Sequence, residues 1–166
     1  MKIDLGCGAH KKEGFVGIDK VPLAGVDLVC DIEKGIPLKN NAAGYIYCEY
    51  LLEHIENIGL VMAEIYRIAR PGALVEIRVP YYLSTGAFQD PTHKRFFTEE
   101  TFRYFTREPG VKLPKRSDYG YNFNFTIIKS SLLINKKFAW LPGAHKLARY
   151  FFNIAREIHV TLKAEK

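Results

Sequence analysis

The 166-residue chain holds only three cysteines, two methionines and one tryptophan. Cys7, Cys30 and Cys48 lie far apart, with no Cys-x-x-Cys or zinc-ribbon spacing. That excludes a disulfide framework and a cysteine zinc site, and reduced thiols are expected. No run approaches the roughly 18 consecutive apolar residues of a membrane span. The start, Met-Lys-Ile-Asp-Leu-Gly, has no apolar signal core. A cytoplasmic protein is therefore expected. Repeats, low-complexity tracts and long linkers are also missing, so residues 1–166 are expected to be one domain. What is plentiful argues against disorder: 48% of residues are hydrophobic and 13% aromatic, enough for a real core.

Charge is unevenly spread. Residues 1–93 carry 9 Lys/Arg against 12 Asp/Glu, whereas residues 94–166 carry 15 against 6. The second half thus supplies the whole net charge of +6. Such a half suits an anionic substrate, a nucleic acid or a membrane surface, or simply a solvated basic face.

Short β-branched and aromatic runs predict strands at residues 2–6, 15–19, 26–31, 44–48 and 74–80. Residues 58–70 carry Leu60, Val61, Ile65 and Ile68 at helical spacing, and Pro71-Gly72 stops them. Strands alternating with helical segments imply a parallel sheet with right-handed crossovers. Beyond residue 93 the pattern changes. Residues 99–105 predict a short helix capped by Thr98, residues 108–118 a basic loop, and residues 121–136 a long β-rich run. Residues 144–156 predict an aromatic helix. Ile158, Val160 and Leu162 alternate with polar residues, which predicts a closing strand.

Asp4-Leu5-Gly6-Cys7-Gly8 follows the first strand, and Asp19 ends the second. Gly6 and Gly8 lack Cβ, so the backbone can turn sharply and approach a ligand. A carboxylate at Asp19 can accept from ribose hydroxyls, and Asp31 closes the third strand near where an adenine would lie. These are the parts of a site for an adenosine-bearing cofactor. A dinucleotide usually requires Gly-x-Gly-x-x-Gly. Here Lys11 takes the third glycine's place, and only ten residues separate Gly8 from Asp19.

These motifs, with Gly17-Ile18-Asp19, Val29-Cys30-Asp31, Tyr45-Ile46-Tyr47-Cys48, Leu52-Glu53-His54 and Arg70-Pro71-Gly72-Ala73, resemble class I S-adenosylmethionine-dependent methyltransferases, in particular the compact type 11 group. Asp90-Pro91-Thr92-His93 and Arg95-Phe96-Phe97-Thr98 extend the likeness. The resemblance implies an α/β, Rossmann-like, seven-stranded and mostly parallel sheet with an antiparallel edge hairpin, here without the usual N-terminal helix. It implies S-adenosyl-L-methionine as cofactor, held by residues 1–80, with the acceptor side supplied by residues 81–166. By position, Gly6, Cys7 and Gly8 would face its methionine and ribose portions. Asp4 would reach the amino group through water, and Asp19 with Lys20 would sit at the ribose. Asp31 and Ile32 would flank the adenine, and Cys48 would lie beside the methyl donor. The missing front helix and shortened first crossover imply a cover from the second half or from a partner subunit, as in a homodimer.

Methyl transfer chiefly requires a positioned nucleophile, and a base where the acceptor is a hydroxyl. His93 is the first candidate base, in a loop after the fifth strand at the ligand-binding end of such sheets. That loop's polar turn chemistry predicts an exposed side chain. Asp90 is a candidate to orient His93 or to cap the turn. His54 is expected to line the pocket or fix its loop. Some small-RNA and quinone-pathway methyltransferases carry Glu-x-x-Glu-His in this region. Tyr50 occupies the first of those positions, and no metal is expected.

Tyr81-Tyr82 are candidate pocket walls or core. Lys94, Arg95, Arg103, Arg107, Lys112, Lys115 and Arg116 form a basic stretch suited to phosphate or carboxylate. Leu147, Tyr150, Phe151, Ile154 and Ala155, with Trp140, Lys146 and Arg149 nearby, suit either core or a membrane-linked acceptor. The expected activity is O-methylation of a small-molecule or glycan acceptor, anionic or lipid-linked. The alternatives are a nucleic-acid methyltransferase and a non-catalytic cofactor-binding partner subunit. The Asn/Asp-Pro-Pro-Tyr/Phe motif of base-amine methylation is absent after the fourth strand, where Cys48-Glu49-Tyr50-Leu51 stands.

Overall fold

The computed structural model describes residues 1–107 and 122–166. The expected basic loop at 108–118, with Lys112, Lys115 and Arg116, and the start of the β-rich run at Tyr121 lie outside the described residues. The strands are β1 (Lys2–Leu5), β2 (Val16–Asp19), β3 (Leu28–Val29), β4 (Ala43–Glu49), β5 (Ala69–Pro80), β6 (Phe125–Ile134) and β7 (Ala155–Ala164). The helices are α1 (Ile58–Ile68), α2 (Thr85–Phe88) and α3 (Ala144–Leu147).

All seven strands join one sheet in the order β3-β2-β1-β4-β5-β7-β6. The first five are parallel, and β7 runs antiparallel between β5 and β6. Fold class and edge arrangement are as expected. β1 is short and buried, with Ile3 and Leu5 fully enclosed. It neighbours β4 across the point where strand order reverses, the place where such sheets open a ligand crevice at their carboxyl ends.

Helix α1 begins at Asn57, whose Oδ1 accepts from Leu60 N at 3.2 Å. That bond satisfies an otherwise orphaned donor of the first turn. Val61, Met62, Ile65 and Ile68 recur at three- and four-residue spacing and are fully buried, so the helix is held by its inner face. Leu60, expected in the apolar stripe, is turned outward instead. The helix ends at Ile68, and the chain passes directly into β5, which runs through Pro71-Gly72 rather than starting after it. Gly17 in β2 is forced by packing: a Cβ there would stand 2.8 Å from Cys7 Sγ and 3.0 Å from Gly25 O.

The second half departs most from expectation. The helix expected at 144–156 shrinks to the four residues of α3, and only its last two residues, from Ala155, join β7. Residues 148–154 are turns and bends, and β7 then pairs with β5 along seven positions, Glu157 to Lys163 against Pro80 to Leu74. Inward residues of β7 (Ile158, Val160, Leu162) are buried in the predicted alternation. Residues Thr101–Phe105 form a 3-10 turn rather than an α-helix, and its N-cap is Glu100, not Thr98, whose carbonyl accepts from Thr101 N at 3.2 Å in the turn before it. Its Phe102 and Phe105 enter an aromatic core with Phe97 and Phe123.

Met62 and Leu60 give opposite expectations on one helix. Met62→Ala, at 0% exposure, is expected to cost about 2–5 kcal/mol of unfolding free energy. Leu60→Ala, at 54% exposure, is expected to cost less than about 0.5 kcal/mol. Urea unfolding of both variants checks the helix orientation, and equal losses would contradict it.

Candidate functional site

The carboxyl ends of β1 to β4 converge on a cavity of about 380 Å³. Gly6, Asp19, Lys20, Asp31 and Ile32 all line it, together with Ile18, Cys30, Tyr50, Leu51 and His54. Gly6 adopts φ +69°, and a Cβ there would meet Leu51 Cδ1 at 2.9 Å. Only glycine meets both demands without strain. Its N–H donates to Ile18 O at 2.8 Å, which binds the turn to β2. Asp19 ends β2 with both oxygens anchored: Oδ2 accepts from Gly8 N at 2.9 Å and Oδ1 from Val21 N at 3.0 Å. Each oxygen keeps a lone pair for a hydroxyl donor. Asp31 caps the 3-10 turn Ile32–Lys34 through Glu33 N at 3.2 Å.

The remaining predicted cofactor residues do not line this cavity. Gly8 acts on it only through Asp19. Asp4 is 4% exposed and accepts from Lys12 N at 2.8 Å, and burial raises its carboxyl above the usual range. Cys7 is buried under the turn. Cys48 lies within β4 at 0% exposure rather than after it, and burial pushes its thiol well up.

A second cavity of about 490 Å³ adjoins the first and shares Tyr50 and His54 with it. Its wall includes Glu53, Asp90, His93, Asn135, Asn153 and Glu157. The candidate base His93, its expected partner Asp90 and the pocket residue His54 are thus brought together. Thr92 Oγ1 lies 2.7 Å from Asp90 Oδ1 and 2.9 Å from His54 Nδ1. A carboxylate can only accept, so the Thr92 hydroxyl proton goes to Asp90. Thr92 must then accept from His54 Nδ1–H, and the lone pair of neutral His54 is left on Nε2. Hydrogen bonding from Thr92 holds the Asp90 carboxyl below the ordinary range. Burial, then the neighbouring His93, lowers His54. The two imidazoles meet edge to face at 4.7 Å between centroids.

His93 is enclosed, not exposed as the loop chemistry predicted: its side chain is 8% accessible. Its Nδ1 is 3.0 Å from Ala87 O, which fixes Nδ1 as the donor. Nε2 stands 3.9 Å from Asp90 Oδ2, beyond hydrogen-bonding distance. Glu53 is 1% exposed, and neither of its oxygens has a hydrogen-bond partner. Burial pushes its carboxyl up to about 7. One donor atom each from Glu53, His54 and His93 lies within 4.8 Å of the others. Three donors for a cation therefore converge, with Tyr50 where the Glu-x-x-Glu-His pattern has a fourth.

Tyr50, Thr92, Asn153 and Glu157 escaped sequence reasoning. Tyr50 adopts φ +49°, an unfavourable conformation for a bulky residue, and no local motif announces it. Glu157 reaches the cavity from β7, more than a hundred residues from His54. In contrast, Tyr81-Tyr82 line neither cavity. Tyr81 is core at 2% exposure. The basic residues following His93 are turned to structural uses: Lys94 pairs with Glu56 at 2.7 Å and Arg103 with Glu100 at 2.8 Å. Arg95 donates to the Glu56 carbonyl.

Residues 8–77, less than half of the chain, match the family model of the methyltransferase domain. No curated protein matches. Among solved structures, a SAM-dependent methyltransferase from Archaeoglobus fulgidus is 15% identical with a TM-score of 0.65, over 98% of this chain and 85% of that one. The cyclase SpnF is 14% identical with a TM-score of 0.64, over 99% and 74%. A Haloferax volcanii methyltransferase structure, in complex with the activator Trm112, is 11% identical with a TM-score of 0.62, over 99% and 82%. At these identities the likeness is one of fold. The family match and the fold together bear out the expectation of a class I S-adenosylmethionine-dependent methyltransferase, with S-adenosyl-L-methionine as its cofactor. Among the described residues, no helix is long and apolar enough to cross a membrane.

Glu53 gives the site a pH signature. Its folded carboxyl is raised from 4.5 to about 7, so the fold favours the neutral form. The associated stability is full below about pH 4.5 and is lost as pH rises through about 7. Wild type is expected to lose about 3 kcal/mol relative to Glu53→Gln across this window. Urea unfolding at a series of pH values measures the gap, and a gap independent of pH would contradict the burial of an ionisable Glu53.

Proposed function

We propose that the protein transfers the methyl group of S-adenosylmethionine to a hydroxyl of a small-molecule or glycan acceptor. One domain carries both tasks, with residues 1–80 on the cofactor side and residues 81–166 completing the acceptor side. The reading rests above all on His54, which stands in the wall shared by the two cavities with its Nε2 lone pair free.

The smaller cavity fits the cofactor. A Cβ at Gly6 would fill the cradle, and the carboxylates of Asp19 and Asp31 flank apolar Ile18 and Ile32. In the proposed assignment Asp19 accepts from the ribose hydroxyls, with Lys20 beside it. Asp31 and Ile32 take the adenine, and Gly6 admits the methionine portion. Gly8 and Asp4 act at one remove, by pinning Asp19 and the Lys12 backbone. When bound, S-adenosylmethionine supplies an electrophilic methyl on a positively charged sulfur.

The chain then has to place and deprotonate the acceptor. Asn135, Asn153, Gln89 and Thr85 give the larger cavity a wall of amides and hydroxyls, which suits a hydroxylated molecule. His54 Nε2 takes the acceptor's proton, while Thr92 and Asp90 hold the opposite nitrogen and stabilise the resulting imidazolium. His93, first candidate from sequence, lines the acceptor cavity alone and fits the role of orienting acceptor and His54. Because the bound cofactor would bring an already activated methyl, what is left to these residues is chiefly to position the acceptor oxygen.

S-adenosylhomocysteine calorimetry and labelled-methyl turnover on glycan, lipid and RNA acceptors together test this reading. Asp19→Ala is expected to weaken binding roughly 10–100-fold, the worth of hydrogen bonds to a charged group. His54→Ala is expected to keep the cofactor but lose on the order of 10²–10⁴ in turnover. Turnover should rise with pH and level off below the ordinary histidine range. Unchanged affinity in Asp19→Ala, or wild-type turnover in His54→Ala, would overturn the assignment. Methylation of RNA alone, or tight binding with no turnover on any acceptor, would replace it by one of the alternatives.

A further inference from the structure

Residues 136–152 carry two sets of apolar side chains. Phe138, Leu141 and Leu147 pack against the core, and Ala144 and Ala148 are buried in it. Trp140, Tyr150, Phe151 and Phe152 face solvent, at 76%, 79%, 57% and 53% exposure. The core is therefore served without these four rings. The expected aromatic helix would have buried Tyr150 and Phe151, but α3 stops at Leu147 and the rings emerge from the turn that follows.

The electrostatic setting is one-sided. Residues 119–156 contain six Lys/Arg and not one Asp or Glu. Arg149 pairs with Glu99 and Arg156 with Glu157. Lys136, Lys137 and Lys146 form no ion pair among the described residues. Large exposed rings beside unpaired lysines, with no acid between them, are complementary to an anionic lipid surface: rings enter the headgroup boundary and lysines meet the phosphates. A second copy of the chain fits less well, because a two-fold contact would set this basic patch on itself. For RNA, stacking platforms lie in basic grooves, and none of the four rings lines either of the two cavities described.

The patch is tied to the acceptor cavity at both ends. Asn135 precedes it and Asn153 follows it, and both line that cavity. Asn153 N donates to Leu83 O at 2.7 Å, and its Oδ1 accepts from Thr85 N. We propose that Trp140, Tyr150, Phe151 and Phe152, with Lys136, Lys137 and Lys146, form a peripheral docking surface for anionic phospholipid membranes and present the larger cavity to them. This inference stands on the surface itself, and its test reads binding rather than methyl transfer.

Trp140 is the sole tryptophan of the chain, so its fluorescence reports on the patch directly. The full-length protein is titrated with phosphatidylglycerol–phosphatidylcholine vesicles and with pure phosphatidylcholine vesicles. A blue shift and co-sedimentation are expected with the anionic vesicles, weakening as salt rises. Each lysine charge near such a surface is worth about fivefold in binding, so Lys136→Gln/Lys137→Gln/Lys146→Gln is expected to lose roughly 100-fold. Phe151→Ser/Phe152→Ser is expected to weaken vesicle binding while S-adenosylhomocysteine affinity, the check on folding, is retained. No shift with anionic vesicles at low salt would overturn the proposal. So would tighter binding to an RNA oligonucleotide than to vesicles, or burial of Trp140 that grows with protein concentration alone.

Discussion

The turn at Gly6 is the constraint on which the site depends. β1 must end there, reverse sharply and leave its backbone against Leu51 with no room for a Cβ. The bond from Gly6 N–H to Ile18 O ties the turn to β2, and Gly8 N–H holds the Asp19 carboxylate. Leu51, on the other side, belongs to the loop that carries Tyr50, Glu53 and His54. One close contact therefore sets the Asp19 carboxylate and the residues shared by the two cavities in a fixed relation. Because β1 and β4 are neighbours at the reversal of strand order, the crevice opens where those two loops diverge.

Across that crevice the larger cavity, the proposed acceptor side, is assembled from distant chain segments. Asp90 and Thr92 come from the loop after β5, Asn135 from the end of β6, and Glu157 from β7. His54 receives its orientation through Thr92 rather than from a carboxylate directly. His93 meets its ring edge to face, and burial together with that neighbouring imidazole disfavours the charged form. Such an arrangement keeps His54 neutral near pH 7, with the Thr92 contact leaving the lone pair on Nε2.

Much of this was legible in the sequence because it is local. The five parallel strands were visible as short β-branched runs, and Gly6, Asp19 and Asp31 stood at their ends. The closing strand showed as strict alternation at Ile158, Val160 and Leu162. What escaped is tertiary. The helical pattern of residues 144–156 held for only one turn: α3 ends at Leu147, residues 148–154 are turns and bends, and Ala155 already pairs with Ile134 at the start of β7. Leu60 satisfied the helical period yet faces outward, because a stripe wider than the core must leave one edge exposed. His93 looked exposed from its turn-forming neighbours, but Ala87 and His54 close over it. Tyr50 and Glu157 had no local signature, since their meeting depends on how β4, β5 and β7 lie side by side.

Amide hydrogen exchange with and without S-adenosylhomocysteine tests the central claim most directly, because it maps the ligand onto the chain without presupposing an acceptor. Protection concentrated at residues 6–8, 18–21, 30–33 and 50–55 is the predicted result. An absence of protection, or protection confined to segments away from the carboxyl ends of β1 to β4, would contradict the account.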